Sequence, residues 1–395
     1  MTSQDIKALD AGSVIQTYGR FDVAIDHGDG SRLYSPEGRE YIDFTSGIGV
    51  NSIGYANKKW AEAIYNQALK LGHISNLFYT EPYARVAAEL TARTGLSKVF
   101  FANAGGEANE GLIKLGRKYS HDKYGDGRST ILTLVQSFHG RTISTLAATG
   151  QDAFHKHFFP FTEGFRYVPA NDFAAMEAAI TPDVAAVMVE LIQGEGGVLP
   201  LDVEYVKAVR KLCDERDVLL LVDEVQTGVG RTGTLFAFQQ YGITPDAITF
   251  AKGIAGGLPM GGIIASEKTA TVLGAGDHAT TFGGNPIAAA AALEVLAQLD
   301  DATLAEVGKK GAYIRDAIAS WKLPVVGQTR GLGLMLGVST VGAAPKAIAA
   351  QCIENGLLIL TAGSDALRML PPLTITYAEI DAGLAILKTV LEGYC

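Results

Sequence analysis

The chain has 395 residues, of which 48% are hydrophobic and 19% charged, and its formal net charge is -9. This composition is typical of a well-packed enzyme and excludes a disordered chain. The acidic balance, without a basic run, argues against nucleic acid as a partner. The apolar stretches are too short to span a bilayer, so no membrane partner is indicated either. The length favours one large domain with a smaller companion.

The N-terminal segment MTSQDIKALD lacks the patterns of a secretion signal and of an organelle-targeting peptide. Three cysteines, Cys213, Cys352 and Cys395, form no CxxC pair, which is typical of reduced thiols. We therefore expect a cytoplasmic protein. His155 and His157 have no further ligand cluster near them in the sequence, so no metal site is indicated.

The predicted elements follow one another in three stretches. Residues 26–47 are rich in turn formers and predict an antiparallel β segment. Between residues 56 and 299, short apolar runs alternate with helical periodicity, as in βαβ units around a mostly parallel sheet flanked by helices. Afterwards a helix, a strand-like run at 331–340 and another helix indicate an α+β unit. We expect a large domain at 56–299 and a small domain built from residues 1–55 and 300–395.

Two apolar runs in the middle stretch end in a single charged residue. Asp223 follows LLLV, and Lys252 follows ITFA. Ligands bind beyond the carboxyl ends of buried parallel strands, so both residues are expected in one active site. An unpaired buried charge is costly, and each charge needs a partner. Pyridoxal phosphate satisfies both, because its ring nitrogen pairs with an aspartate and its aldehyde forms a Schiff base with a lysine.

Gly105 and Gly106 stand at the expected start of a helix, with Glu107 and Glu110 in or near its first turn. Free backbone N–H groups and the positive end of the helix dipole make such a start a phosphate site. An ordinary glycine before a helix is the alternative interpretation, and this segment alone does not separate the two.

Two further strand ends carry candidate pocket residues. In SFHGRT, Phe138 is suited to stacking on a planar ring and Arg141 to binding a carboxylate. In VELIQGEGG, Glu190 and Glu195 lie around the end of another apolar strand. A core aromatic with a surface arginine explains the first segment as well, and an ordinary loop explains the second.

The remaining candidates are Thr281, a second phosphate donor in TTFGGNP, and Arg368, a cation that precedes a double proline. Gly228, Gly230 and Gly233 form a GxGxxG string. They do not form a dinucleotide site, because the segment DEVQT separates them from the preceding strand.

Together these segments resemble the class III pyridoxal-phosphate aminotransferases of fold type I over nearly the whole chain. The resemblance implies that Lys252 binds the cofactor aldehyde and carries a proton between substrate and cofactor. It implies that Asp223 keeps the ring nitrogen protonated. It further implies that Val225 and Phe138 sandwich the ring, while Gln226 faces the 3'-oxygen.

The same resemblance assigns the phosphate to Gly105, Gly106 and a Thr281 supplied by the neighbouring subunit. It therefore implies a homodimer with shared active sites. The chain departs from the family pattern at Ala104 and Gly106, where a serine and a threonine, serine or alanine are usual. Backbone donors survive this change, whereas a hydroxyl contact to the phosphate is put in doubt.

Within the class, the chain is most similar to the acetylornithine aminotransferases. The stretch GIGVNSIGY lacks, near Ile48, the tyrosine of ornithine δ-aminotransferases. The resemblance implies that Arg141 binds the far carboxylate of the amino donor and Arg368 the α-carboxylate of glutamate. Glu195 would mask Arg368 in the other half-reaction, and Tyr18 is the last expected substrate-binding residue. The second substrate is 2-oxoglutarate.

Several alternatives stay open. A 4-aminobutyrate transaminase has the same constellation, and succinylornithine or succinyldiaminopimelate is another candidate donor, because acyl groups of this kind differ by few kcal/mol in a pocket. An aminomutase would keep the cofactor without net transfer, and dependence on 2-oxoglutarate separates it from a transaminase. A non-catalytic binding protein of this fold would lack Lys252 or Asp223, and both are present.

Overall fold

The computed structural model describes all 395 residues and begins with a helix and a small sheet. The first elements are α1 (Ser3–Ser13), β1 (His27–Asp29), β2 (Arg32–Tyr34), β3 (Glu40–Asp43), the short turn α2 (Ser46–Gly49), α3 (Lys58–Lys70) and α4 (Glu81–Thr94). Strands β1, β2 and β3 pair antiparallel, with His27 opposite Tyr34 and Arg32 opposite Ile42. The antiparallel segment predicted from the turn-rich sequence is thus confirmed.

The middle of the chain alternates strands and helices. Its elements are β4 (Lys98–Ala102), α5 (Gly105–Tyr124), β5 (Thr130–Leu134), α6 (Ile143–Ala148), β6 (Phe165–Val168), α7 (Phe173–Ala179), β7 (Val184–Val189), β8 (Ile192–Gln193), β9 (Leu199–Pro200), α8 (Val203–Glu215), β10 (Leu219–Asp223), α9 (Phe238–Tyr241), β11 (Ala247–Phe250), β12 (Gly261–Ala265) and α10 (Pro286–Gln298). Two 3-10 turns, Asp152–Phe154 and Lys252–Ala255, complete this part.

Seven of these strands form the central sheet, in the order β4-β12-β11-β10-β7-β5-β6. Strand β12 is antiparallel to both neighbours, and every other pair is parallel, which confirms the mostly parallel α/β sheet. All residues of β7 and β10 are buried, as expected for strands covered on both faces. Asp223 pairs with Thr249 on the adjacent strand, so the carboxyl ends of β10 and β11 lie side by side.

The C-terminal part contains α11 (Asp301–Ser320), β13 (Val326–Leu332), β14 (Met335–Thr340), α12 (Pro345–Glu354), β15 (Leu357–Leu358), β16 (Leu360–Ala362), β17 (Ala366–Met369) and α13 (Tyr377–Glu392). Strands β13, β14, β17 and β16 form an antiparallel sheet. The single strand expected at 331–340 was wrong, because a tight turn at Gly333, with φ 53°, splits this run into a hairpin.

Strand β15 joins the N-terminal sheet, where Leu357 pairs parallel with Ile42 of β3. This pairing supports a small unit built from both ends of the chain, and we propose the division at 1–55, 56–299 and 300–395 on that basis. No helix of the protein combines the length and the apolar character that a membrane crossing requires.

Candidate active site

A cavity of about 670 Å³ lies at the carboxyl ends of β10 and β11, within the size range of small-molecule sites. Its walls come from the start of α5, the loop after β5 and the segments that follow β10 and β11. The sequence-predicted residues that line it are Gly105, Gly106, Phe138, Arg141, Glu190, Asp223, Val225, Gln226 and Lys252. The sheet therefore brings most of the predicted site together.

Asp223 lies at the bottom of the cavity and is buried. Its Oδ2 lies 2.8 Å from His139 Nδ1 and accepts a hydrogen bond of 2.7 Å from Asn109 Nδ2. Burial raises the pKa of Asp223, but the hydrogen bond and charge of His139 outweigh it, so this pKa lies below its ordinary value. Asp223 is therefore a fixed carboxylate, able to stabilise a proton on a ring nitrogen.

His139 and Asn109 were not predicted, although both belong to segments that the sequence singled out. Asn109 lies one turn after the start of α5, where it also donates to the His139 carbonyl oxygen at 2.7 Å. Burial lowers the pKa of His139, yet the bond to Asp223 and its charge leave it above the ordinary value. The available signal was a histidine directly after Phe138, in the segment that follows β5 at the same edge of the sheet as Asp223.

Lys252 begins the 3-10 turn after β11 with a left-handed φ of 43° and is half-buried. Its Nζ has no hydrogen-bond partner in the chain, so the amine is free to react. Burial lowers the pKa of Lys252, the charge of Arg368 lowers it further, and Glu195 opposes both. A lowered amine pKa favours the neutral, nucleophilic form.

The first turn of α5 is the predicted phosphate site. Ala104 is its N-cap and provides no side-chain cap, so the first N–H groups keep no intrahelical partner. A Cβ at Gly105 would approach Val225 Cγ1 to 2.6 Å, so a glycine is needed there. At Gly106 a Cβ would meet nothing closer than Thr142 Cγ2 at 3.6 Å, so the larger residues usual in the family would fit.

Pyridoxal phosphate fits this cavity on the chain's own features. The unpartnered amine of Lys252, the fixed carboxylate of Asp223 and the uncapped helix start correspond to the aldehyde, the ring nitrogen and the phosphate of the cofactor. Phe138 and Val225 offer apolar contacts for the ring between these polar groups.

Arg141 lies at the exposed side of the cavity and forms no ion pair. Its guanidinium carbon lies 4.5 Å from the ring centroid of Phe154 and 5.6 Å from that of Phe138. The two rings meet edge to face at 5.8 Å. This aromatic support holds the cation in place and leaves its hydrogen-bond donors available for a carboxylate.

Arg368, on β17, is buried and contacts Glu195 through Nη1 and Oε1. Gln226 bridges this pair, since its Oε1 accepts from Arg368 at 3.3 Å and its Nε2 donates to Glu195 at 3.4 Å. Burial raises the pKa of Glu195, but the adjacent Arg368 charge keeps it below the ordinary value. A Cβ at Gly194 would come within 2.4 Å of the Gln226 amide oxygen, so the glycine admits this bridge.

Glu190 ties two of the active-site loops together. Its carboxylate accepts from the Phe138 N–H at 2.9 Å and from the Gly194 N–H at 3.2 Å. Burial raises the pKa of Glu190 to about 7. The predicted pocket residue thus connects the loop that carries Arg141 with the loop that carries Glu195.

Four predicted residues do not line the cavity, namely Glu195, Arg368, Tyr18 and Thr281. Glu195 and Arg368 contact Gln226 of its wall, whereas Tyr18 and Thr281 have no such contact. Tyr18 is 72% exposed, with the Arg20 guanidinium 5.5 Å above its ring. Thr281 is also exposed and lines no part of the cavity. Nothing within one chain brings either side chain to Lys252.

Comparisons with known proteins give one consistent result. The family model for aminotransferase class-III matches residues 14–391. Acetylornithine aminotransferase of Haemophilus ducreyi is 54% identical over 99% of this chain and 100% of that protein. The solved ornithine aminotransferase of Toxoplasma gondii ME49 has a TM-score of 0.96 and 31% identity, covering 100% of this chain and 96% of its own. The N-acetylornithine aminotransferase of Stenotrophomonas maltophilia has a TM-score of 0.85 and 37% identity, covering 98% of each chain.

Proposed function

We infer the reaction from one premise: the chain belongs to the class III aminotransferases, which depend on pyridoxal phosphate. The reaction we propose is transfer of the δ-amino group of N2-acetylornithine to 2-oxoglutarate. It yields N-acetylglutamate 5-semialdehyde and glutamate, a step of arginine biosynthesis. The observation that carries this proposal is a site with two arginines, of which Arg141 is free and Arg368 is covered by Glu195.

Bound pyridoxal phosphate supplies an aldehyde that takes up the amino group and a ring that withdraws electrons from the substrate carbon. We assign to Lys252 Nζ the tasks of holding the aldehyde and of moving the proton at the reacting carbon. Asp223, fixed by His139 and Asn109, holds the proton on the ring nitrogen. Phe138 contacts the ring, and the first turn of α5 binds the phosphate.

The two half-reactions need different carboxylate positions. N2-acetylornithine carries its carboxylate far from its δ-amine, and we assign that carboxylate to Arg141. Glutamate carries a carboxylate on the reacting carbon, and we assign this group to Arg368 after Glu195 has moved away. While Glu195 pairs with Arg368, only Arg141 is available to bind the carboxylate of the donor. The donor therefore has a single preferred orientation. The amino group is held on the protein between the two half-reactions, in a ping-pong sequence.

Glu195→Ala is expected to separate the two half-reactions. An Arg368 without its Glu195 partner should bind glutamate more tightly and should misorient N2-acetylornithine. Because charge-assisted hydrogen bonds are worth about 1.5–3 kcal/mol, the ratio of the two kcat/KM values should shift by about tenfold or more. Single-turnover spectra with each substrate measure this ratio. Asp183→Asn, which breaks the remote pair with Arg166, is the control and should not move the ratio. A Glu195→Ala enzyme that uses both substrates unchanged would contradict the gate.

The donor is tested by adding N2-acetylornithine, 4-aminobutyrate and ornithine separately to cofactor-loaded protein without 2-oxoglutarate. We expect N2-acetylornithine to remove the visible band of the bound cofactor fastest, and 2-oxoglutarate to restore that band. A preference for 4-aminobutyrate would instead assign the chain to an ω-amino-acid transaminase. Absence of any visible band after loading would remove the cofactor assignment itself.

Ornithine is the donor that backbone similarity alone would suggest, given the fold shared with the Toxoplasma gondii enzyme. The residue at position 48 favours the acylated donor. Ile48 is 43% exposed and provides no hydroxyl with which to bind a second charged amine. Succinylornithine is not separated from N2-acetylornithine by this argument, and the same spectral titration compares the two.

We propose that the enzyme is a homodimer whose second copy supplies Thr281. Asn76 donates to the carbonyl oxygens of Thr280 at 3.2 Å and Gly283 at 3.1 Å, which joins two exposed segments. These segments present large apolar side chains to solvent, namely Leu77, Phe78, Tyr79 and Phe282. Exposed large apolar side chains on two joined segments support an interface, and Thr281 directly precedes Phe282 in one of these segments. The cytoplasmic location stays a prediction from the N-terminal segment and the cysteines.

A further inference from the structure

Four consecutive residues at the edge of the active site have a left-handed backbone. In this left-handed turn, residues 46–49, the φ angles are 42° at Ser46, 63° at Gly47, 64° at Ile48 and 79° at Gly49. Glycine adopts such angles freely, but Ser46 is disfavoured there and the β-branched Ile48 is a true outlier. Contacts from outside the turn must therefore hold it in place.

A buried carboxylate supports the turn from one side. Asp43 accepts hydrogen bonds from the Thr45 N–H at 2.7 Å, the Ser46 N–H at 2.9 Å and the Tyr55 hydroxyl at 2.8 Å. Ser46 Oγ in turn donates to the carbonyl oxygen of Leu370 at 2.6 Å. The turn is thus bonded to the chain that directly follows β17.

A buried arginine supports it from the other side. Arg231 is 2% exposed and has no carboxylate within ion-pair distance. Its Nη1 donates to the carbonyl oxygens of Leu334 at 3.0 Å and Pro371 at 2.5 Å, and its Nη2 donates to Ser46 Oγ at 3.4 Å. Burial lowers the pKa of Arg231 to about 9. A buried cation without a paired anion is costly, and the three hydrogen bonds together with the charge of Asp43 offset this cost.

The segment that contains the turn contacts the chain next to Arg368 and the chain next to Lys252. On the Arg368 side, the Leu370 N–H donates to the Phe44 carbonyl at 2.7 Å, two residues beyond Arg368. On the Lys252 side, Ser52 Oγ donates to the Gly253 carbonyl at 2.8 Å, one residue beyond Lys252. The segment that contains the turn therefore links the backbone that follows Arg368 to the backbone that follows Lys252.

We propose that Arg231 is a positioning residue that locks the left-handed turn against the strand of Arg368 and thereby sets the affinity for the carboxylate bound at Arg368. This inference rests on the proposed use of glutamate and 2-oxoglutarate. Arg231 does not touch the substrate. It acts through Pro371 and Ser46, and its loss frees the strand end on which the guanidinium of Arg368 depends.

The test compares Arg231→Lys with Arg210→Lys in the cofactor-loaded enzyme. Arg210 is also a buried arginine, but it pairs with Asp246 and lies outside the cavity. Lysine cannot reproduce three contacts of a planar guanidinium. For Arg231→Lys we expect the KM for 2-oxoglutarate and the Kd of glutarate, measured by calorimetry, to rise about tenfold, with kcat changed by less than about threefold. Arg210→Lys should lower the melting temperature and leave both constants unchanged.

Ser46→Ala is the second variant, because it removes only the hydroxyl between Arg231 and Leu370 and keeps the buried charge. A rise of about threefold in the glutarate Kd is expected, so the proposal is tested even if Arg231→Lys fails to fold. Unchanged glutarate binding in the folded variants, together with a lowered melting temperature, would overturn the proposal and leave Arg231 a structural residue. If wild-type enzyme binds glutarate but does not use glutamate, the proposed reaction fails, whereas the glutarate comparison still decides the role of Arg231.

Discussion

Replacing Lys252 by alanine is expected to lower the rate of amino transfer by about 10⁴-fold, the upper end of what a positioned acid–base group contributes. The reason is structural as well as chemical. The Nζ of Lys252 has no partner in the chain, and no second lysine lines the cavity. The visible band of the bound cofactor should also be lost or displaced. Lys268→Ala is the matched control, since Lys268 pairs with Asp217 and Asp246 outside the cavity and should leave the activity unchanged.

Mixing the Lys252→Ala chain with a second inactive chain, Thr281→Asp, tests the shared site. The added carboxylate should repel the phosphate, so each pure variant is inactive. In a mixed dimer, one site combines an intact Lys252 with an intact Thr281 from the partner copy. Random reassociation of equal amounts should therefore restore about a quarter of the wild-type activity. No recovery would mean that Thr281 acts within its own chain, and an active pure Thr281→Asp variant would mean that Thr281 does not contact the phosphate; either result would make the dimer assignment of this residue wrong.

The sequence was most informative where burial is complete. The residues of β7 and β10 are all buried, and their unbroken apolar runs predicted parallel strands correctly. Prediction was less successful where local pattern and tertiary contact differ. The run at 331–340 is apolar on both sides of Gly333, so periodicity alone gave one strand instead of a hairpin. The antiparallel direction of β12 likewise depends on its neighbours, β11 and β4, rather than on its own residues.

The same distinction holds for the candidate site. Asp223 and Lys252 were predictable because a single charge at the end of an apolar strand is a local signal. The partners of Asp223 were not, because Asn109 comes from a helix 114 residues earlier in the chain. Arg231 was not predicted, because it lies within the GxGxxG string at residues 228–233, whose glycines carried the only pattern considered there. Thr281 lies on an exposed segment, and its role stays a prediction that the mixed-dimer experiment addresses.

Asp223→Asn is expected to lower kcat by about 10²–10³-fold, the loss typical of removing one preorganised electrostatic contact. The asparagine keeps the shape of the side chain and can still bond to Asn109, but it has no negative charge to hold a proton on the ring nitrogen. Asn109→Ala is the comparison, since it removes one hydrogen bond to Asp223 and keeps the charge. It should cost much less, and equal losses in the two variants would argue that geometry rather than charge is what Asp223 provides.

The same substitution should change the pH dependence of stability in a defined direction. The pKa of His139 is raised in the folded protein, so its contribution is fully present below the unfolded value of about 6.5 and is lost as the pH rises through the higher folded value. The pKa of Asp223 is lowered, so its contribution is present above about 3.9 and does not change between pH 6 and pH 9. Asp223→Asn should therefore destabilise the protein more at pH 6 than at pH 9, as measured by the denaturant midpoint. An equal effect at both pH values would mean that His139 does not change its protonation state between them, and the raised pKa of His139 would be wrong.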